Sequence, residues 1–194
     1  MERMIEFRLH GRGGQGIVVA ASIFAEAVFL TGKYARAFSL FGAERRGAPV
    51  TAFIRVSEKQ LMPRSRSYSP DYIVIFDATL NKKSLTAGIT DRSVLIVNST
   101  GREEELFQEI KYFGDAAVYT VDATAIARKY NLTIGSFPMV NTVMLGAMVR
   151  ISGFSTLENL FAATRKRVSA SIEANLKASE EGFTAVKEVE RVAT

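Results

Sequence analysis

Few residues in this sequence could do chemistry. His10 is the one imidazole, and there is no cysteine at all. Without thiolates the chain offers no ligands for an iron–sulfur cluster, no cysteine-based zinc site and no disulfide. No serine or threonine stands beside a credible histidine base, so no self-contained nucleophilic or acid–base machine is legible. A lone histidine at this place reads as a buried, hydrogen-bonded residue rather than a base. His10 heads the run His10-Gly11-Arg12-Gly13-Gly14-Gln15-Gly16, which contains the spacing G-x-G-x-x-G. Gly11, Gly13, Gly14, Gln15 and Gly16 are therefore candidates for ligand contact: glycines allow a tight turn and a close backbone approach, and N–H groups at a helix start favour an anion.

A dinucleotide at such a loop needs an acidic residue about twenty positions on, to hold a ribose hydroxyl. Residues 33–38 read Lys-Tyr-Ala-Arg-Ala-Phe instead. Arg36 suits a ribose phosphate, which keeps NADP and coenzyme A open and disfavours NAD. The plainer alternative is a glycine loop that only packs strand against helix.

Two further motifs stand out. Phe41-Gly42-Ala43-Glu44-Arg45-Arg46-Gly47-Ala48-Pro49-Val50 places Arg45 and Arg46 between glycines ahead of a strand, where forked donors suit a carboxylate or phosphate. The other reading pairs Glu44 with one of them across an interface. Pro138 to Ala147 is an apolar stretch with Asn141 and Thr142 near its start, a pair that suits capping or helix packing better than ligand contact.

These motifs must be positioned by regular elements. Met4 to Leu9 predicts a strand, Gly11 to Gly16 a tight loop and Ile17 to Leu30 a helix. Only Ser22 and Glu26 are polar in that helix, so it must be covered on both sides, and a partner subunit is the expected cover for one of them. Further strands are expected over Pro49 to Val56, Asp71 to Phe76, Ser93 to Asn98 and Ala116 to Val121. The last three are continuous apolar runs, as buried parallel strands require. Helices are expected over Leu80 to Ala87, Glu103 to Tyr112 and Ala123 to Tyr130. In the last third they are expected over Met139 to Ile151, over Ser155 to Arg165 with a Ser155/Glu158 capping box, and over Ile172 to Glu180 with Gly182 as stop. The alternation predicts an α/β fold: a three-layer α/β/α sandwich on a mostly parallel sheet, mixed at the edge where Pro49 to Val56 follows no crossover helix, with a helical C-terminal third. The segment Glu58 to Pro70 reads as a flexible loop.

At 194 residues and 47% hydrophobic composition the chain fits one domain over residues 1–194. Its charge is uneven: residues 11–66 hold nine Lys and Arg against three Asp and Glu, while the remainder is near neutral. That asymmetry suits an anionic partner. Nucleic acid is not the expected one, because no regularly spaced basic helix or interleaved aromatic platform is present. The most apolar stretch, Pro138 to Val149, is short, polar in places and followed by Arg150, so no membrane span is expected. With no secretory signal legible, the chain is expected to be soluble and cytoplasmic.

Taken together, Gly11-Arg12-Gly13-Gly14-Gln15-Gly16, Glu44-Arg45-Arg46-Gly47-Ala48-Pro49-Val50 and Asn141-Thr142-Val143-Met144-Leu145-Gly146-Ala147 resemble the gamma subunit of 2-oxoacid:ferredoxin oxidoreductases, most of all the pyruvate enzyme. The resemblance runs from about residue 5 to residue 185 and departs at Ala48, where the family usually shows glycine. It implies a supporting subunit without catalytic residues or cofactors of its own. Thiamine diphosphate, iron–sulfur clusters and Mg would lie in alpha, beta and delta partner subunits, coenzyme A would be co-substrate, and ferredoxin the electron acceptor. Arg36, Arg45 and Arg46 would then meet coenzyme A phosphates or grip neighbouring subunits. A stand-alone NADP-binding oxidoreductase is the competing reading.

Overall fold

The computed structural model describes residues 4–40, 47–59, 69–100, 108 and 116–189. The helix expected over Glu103 to Tyr112, apart from Gln108, lies outside them, as do Glu44, Arg45, Arg46 and most of Glu58 to Pro70.

Strands β1 (Ile5–Arg12), β2 (Tyr34–Leu40), β3 (Pro49–Ser57), β4 (Tyr72–Ile75), β5 (Val94–Asn98) and β6 (Ala117–Val121) precede a small hairpin of β7 (Thr133–Ile134) and β8 (Phe137–Pro138); β9 (Lys187–Glu188) closes the chain's main sheet. That sheet has the order β2-β3-β1-β4-β5-β6-β9. Strands β1, β4, β5 and β6 pair in parallel, while β3 is antiparallel to both its neighbours and β9 to β6. Five of seven strands therefore point the same way, and the mixed edge falls at Pro49, as expected for a strand reached without a crossover helix.

Alternate residues of the central strands serve two cores. Val74 and Phe76 join a large core with Phe7, Leu9 and the helices, whereas Ile73 and Ile75 join a smaller one on the opposite face with Leu85, Leu95 and Val97. Burial on both faces explains the continuous apolar runs and gives the sandwich its three layers. The helices are α1 (Ile17–Phe29), α2 (Lys82–Thr86), α3 (Ala123–Lys129), α4 (Asn141–Ser152), α5 (Leu157–Arg167) and α6 (Ile172–Ala185).

Four expectations are corrected. Tyr34–Leu40 is a strand that the sequence did not announce. Its two alanines and Arg36 carry little strand preference, and pairing with β3 supplies the order. Helix α1 is covered by its own chain rather than awaiting a partner for its second side. Ser155 Oγ donates to the Ala27 carbonyl at 2.7 Å, Lys166 and Arg167 pair with Glu26, and only Val19 and Phe29 of the helix stay exposed. The cap of α5 is Thr156, whose hydroxyl accepts from the Asn159 amide, because Ser155 is turned inward to Ala27. Gly182 is not a stop: α6 runs through it to Ala185. A Cβ there would lie 2.2 Å from the Val143 carbonyl oxygen, and one at Gly146 would lie 1.8 Å from that of Ser179, so both glycines mark the close crossing of α4 and α6.

Candidate functional site

The site grows from the alternation of β1. Phe7 and Leu9 enter the large core, which turns Glu6, Arg8, His10 and Arg12 to the opposite face. Arg55 on β3, opposite Glu6, donates to its carboxylate at 2.8 Å. Arg8 is buried and donates to the Leu85 and Ala87 carbonyls, with its Nε unpaired. His10 is 5% exposed; its Nδ1 lies 3.5 Å from the Thr51 hydroxyl and its Nε2 has no partner. Burial, then the charge of Arg8, push its pKa down to about 3, so the ring is neutral throughout the physiological range. This is a buried histidine, as expected, but an incompletely hydrogen-bonded one.

Beyond His10 the chain turns at the carboxyl end of the parallel strands, where open α/β sheets place their ligands. Gly14 and Gly16 adopt positive φ, 96° and 75°, which a side chain would strain. Gly11 is buried, and a Cβ there would collide with Ile17 and Gln15. The Gly13 amide donates to the Ala48 carbonyl at 2.8 Å and the Gly47 amide to the Gly13 carbonyl at 3.0 Å, so the loop is zipped to the residues that follow Arg46 in sequence. Gly14 remains exposed, and the α1 N-terminus behind it carries no side-chain cap.

Arg12 and Gln15 brace this loop against the end of β4. Arg12 Nε donates to Asp77 Oδ2 at 2.9 Å, Nη2 to the Thr79 hydroxyl at 2.9 Å and Nη1 to the Gly47 carbonyl at 3.2 Å. Gln15 donates to the same Asp77 oxygen at 3.2 Å and accepts from the Arg12 amide at 2.7 Å. Burial alone would raise the Asp77 pKa. The Thr79 hydroxyl and amide, together with the Arg12 guanidinium, outweigh that effect and hold it below the usual carboxylate range. Asp77 and Thr79 escaped the sequence reading; the available signal was their place directly after an apolar strand.

Of the other expected residues, Asn141 joins the loop and Thr142 does not. The Asn141 amide nitrogen lies 2.7 Å from where a Gly16 Cβ would stand, so the start of α4 abuts the start of α1. Thr142 points the other way and donates to Asn175 Oδ1 of α6 at 2.9 Å, fully buried. Arg36 is also remote: it is exposed on β2 opposite Arg55, and Arg55 faces Glu6, six residues before Arg12 and about 20 Å along the strand. The combination that favoured NADP, Arg36 with the glycine loop, is therefore not assembled. Arg45 and Arg46 lie outside the described residues. Among the described residues no cluster of three His, Asp or Glu could hold a metal ion.

This arrangement has relatives. The model of the family described as pyruvate ferredoxin/flavodoxin oxidoreductase matches residues 6–185. The chain is 43% identical over 182 residues to the pyruvate/ketoisovalerate oxidoreductases common subunit gamma of Thermococcus kodakarensis, covering 93% of this chain and 96% of that one. It is 41% identical over 190 residues to the pyruvate synthase subunit PorC of Methanothermobacter thermautotrophicus, covering 97% and 98%. The crystal structure of the pyruvate oxidoreductase subunit PORC of Thermotoga maritima superimposes with a TM-score of 0.82 at 33% identity, covering 97% of this chain and 100% of that one. The chain belongs to the pyruvate ferredoxin/flavodoxin oxidoreductase family.

Proposed function

We propose that the chain is the gamma subunit of a multi-subunit pyruvate:ferredoxin oxidoreductase, which converts a 2-oxoacid and coenzyme A to an acyl-coenzyme A, carbon dioxide and reduced ferredoxin. The observation that carries this reading is the correspondence with gamma and PorC subunits over nearly the whole of both chains. Iron–sulfur clusters need thiolates, and this sequence has none. The clusters, the thiamine diphosphate and its Mg belong to the alpha, beta and delta partners, and thiamine diphosphate supplies the electron sink for decarboxylation.

This chain's own contribution is the braced glycine loop. Exposed Gly14 and the uncapped start of α1 at Gly16 present backbone N–H groups as a seat for the phosphates of coenzyme A, while Gly11, Gly13 and Gln15 shape the loop through bonds within the chain and Asn141 abuts Gly16 from behind. Arg45 and Arg46, joined in sequence to Gly47 beside Gly13, supply positive charge to the same anion, whereas Arg36 serves a subunit contact. The name of the Thermococcus relative, a subunit common to pyruvate and ketoisovalerate oxidoreductases, supports selection of the 2-oxoacid by other chains. No helix among the described residues is long and apolar enough to cross a membrane, in keeping with work in the cytoplasm.

The test is recovery of the tagged chain from its native anaerobic extract, with mass spectrometry of the companions and an assay of 2-oxoacid-dependent acceptor reduction. Companions bearing thiamine diphosphate and clusters, with coenzyme A-dependent activity, are expected. The chain recovered alone and binding NADPH would overturn the reading. Within the complex, Arg45→Ala raises KM for coenzyme A selectively; loss of assembly instead would make Arg45 an interface residue.

A further inference from the structure

A loop of glycines has no side chains to hold its shape and loses more conformational freedom on ordering than any other. Here the shape is imposed from outside, by one carboxylate at the end of β4. Asp77 Oδ2 receives both Arg12 Nε and Gln15 Nε2, at 2.9 and 3.2 Å. Its Oδ1 receives the Thr79 amide at 2.9 Å and the Thr79 hydroxyl at 2.5 Å. Through Gln15 the bracing reaches the Arg12 amide at the loop's entrance; through Arg12 Nη1 it reaches the Gly47 carbonyl. One side chain therefore ties down the glycine loop and the end of the β2–β3 connection together. Among the described residues Asp77 makes the one ion pair to Arg12, and its side chain is 15% exposed, so water competes poorly for the same donors.

We propose that Asp77 is a positioning residue: it latches the glycine loop in the shape that receives coenzyme A, setting affinity for that substrate without touching the reacting atoms. The proposal rests on the reading of the glycine loop as the coenzyme A seat. Every acceptor position on the carboxylate already meets a donor. The isosteric amide of Asp77→Asn must therefore turn an NH2 group either on Arg12 and Gln15 or on Thr79, and one side of the latch opens. The chemistry on the partner subunits is untouched.

The experiment uses the assembled oxidoreductase carrying Asp77→Asn, with Thr79→Val as a milder variant that keeps the Arg12–Asp77 pair. Kinetics are measured against coenzyme A and the 2-oxoacid, alongside amide hydrogen exchange of the peptides spanning residues 10–20. Asp77→Asn is expected to raise KM for coenzyme A about tenfold, the loss expected of a charge-assisted bond. The kcat at saturating coenzyme A and KM for the 2-oxoacid should stay within about twofold. Exchange in residues 10–20 should quicken, and Thr79→Val should shift both readouts in the same sense by less. Unchanged exchange in Asp77→Asn overturns the latch. Faster exchange with an unchanged KM overturns the link to coenzyme A. Failure of the gamma-subunit reading would show separately, as wild-type complex without coenzyme A-dependent activity. If Asp77→Asn does not assemble, Thr79→Val decides by the same two readouts.

Discussion

Replacing Gly146 with alanine sets helix propensity against packing, with opposite signs. Gly146 lies inside α4 with ordinary helical backbone, so alanine alone should favour the helix by about 1 kcal/mol. The added Cβ, however, would stand 1.8 Å from the Ser179 carbonyl oxygen, with the Ser179 carbonyl carbon at 2.8 Å and the Phe183 nitrogen at 2.9 Å. All three are backbone atoms, so no rotamer change relieves the contact. Ordinary van der Waals contact begins near 3.4 Å, so α4 and α6 must part by about 1.6 Å at the crossing. That separation loosens contacts of the buried Val143, Met144, Leu176 and Ala178 and strains the Thr142–Asn175 hydrogen bond. Overpacking against backbone costs roughly 3 kcal/mol, the upper end of the usual range, which leaves a net loss of about 2 kcal/mol. For a domain of this length the thermal midpoint should fall by roughly 4–8 °C, read by calorimetry on the full chain beside Lys177→Ala, an exposed α6 change expected to be near neutral. A midpoint that rises in Gly146→Ala would mean propensity governs, and the close crossing would have to be abandoned.

Thr142→Val keeps the shape of a fully buried side chain but leaves Asn175 Oδ1 without its donor; denaturant titration should show a loss of about 1–3 kcal/mol that Thr142→Ser largely restores. Gly16→Ala forces a side chain onto a φ of 75° and against the Asn141 amide, at a backbone cost of about 1–2 kcal/mol, and should raise KM for coenzyme A; an unaltered KM would exclude the loop from the binding site. His10 predicts a pH dependence. Its folded pKa, about 3, lies below the 6.5 of an unperturbed imidazole, so the unfolded chain takes up a proton that the folded chain refuses. Stability present above pH 6.5 is lost as pH falls toward 3, by up to about 1.4 kcal/mol per pH unit. Urea midpoints between pH 7 and pH 5, above the carboxylate range, should decline less steeply in His10→Gln; equal slopes would exonerate the histidine.

The parallel strands were legible because burial on both faces writes itself into the sequence as unbroken Val and Ile runs, as at Ile73 to Phe76. Residue 34 to residue 40 carries no such mark, since β2 is an edge strand held by its pairing with β3. Gly182 was misread for a related reason: glycine after a helical run looks like a terminator, and only the approach of α4 in space shows it to be a contact point. The glycine loop was legible as a loop, yet what fixes it was not, because Asp77 lies far from Arg12 in sequence and becomes its partner only through the parallel pairing of β1 with β4. Strand order likewise explains why Arg36 looked relevant and proved remote. Its place in sequence beyond the glycine loop suggested a ribose-phosphate contact, but β3 inserts antiparallel between β1 and β2 and leaves Arg36 level with Glu6 at the far end of the sheet. A motif in one sequence names the residues that can meet a ligand, and the strand register decides which of them do.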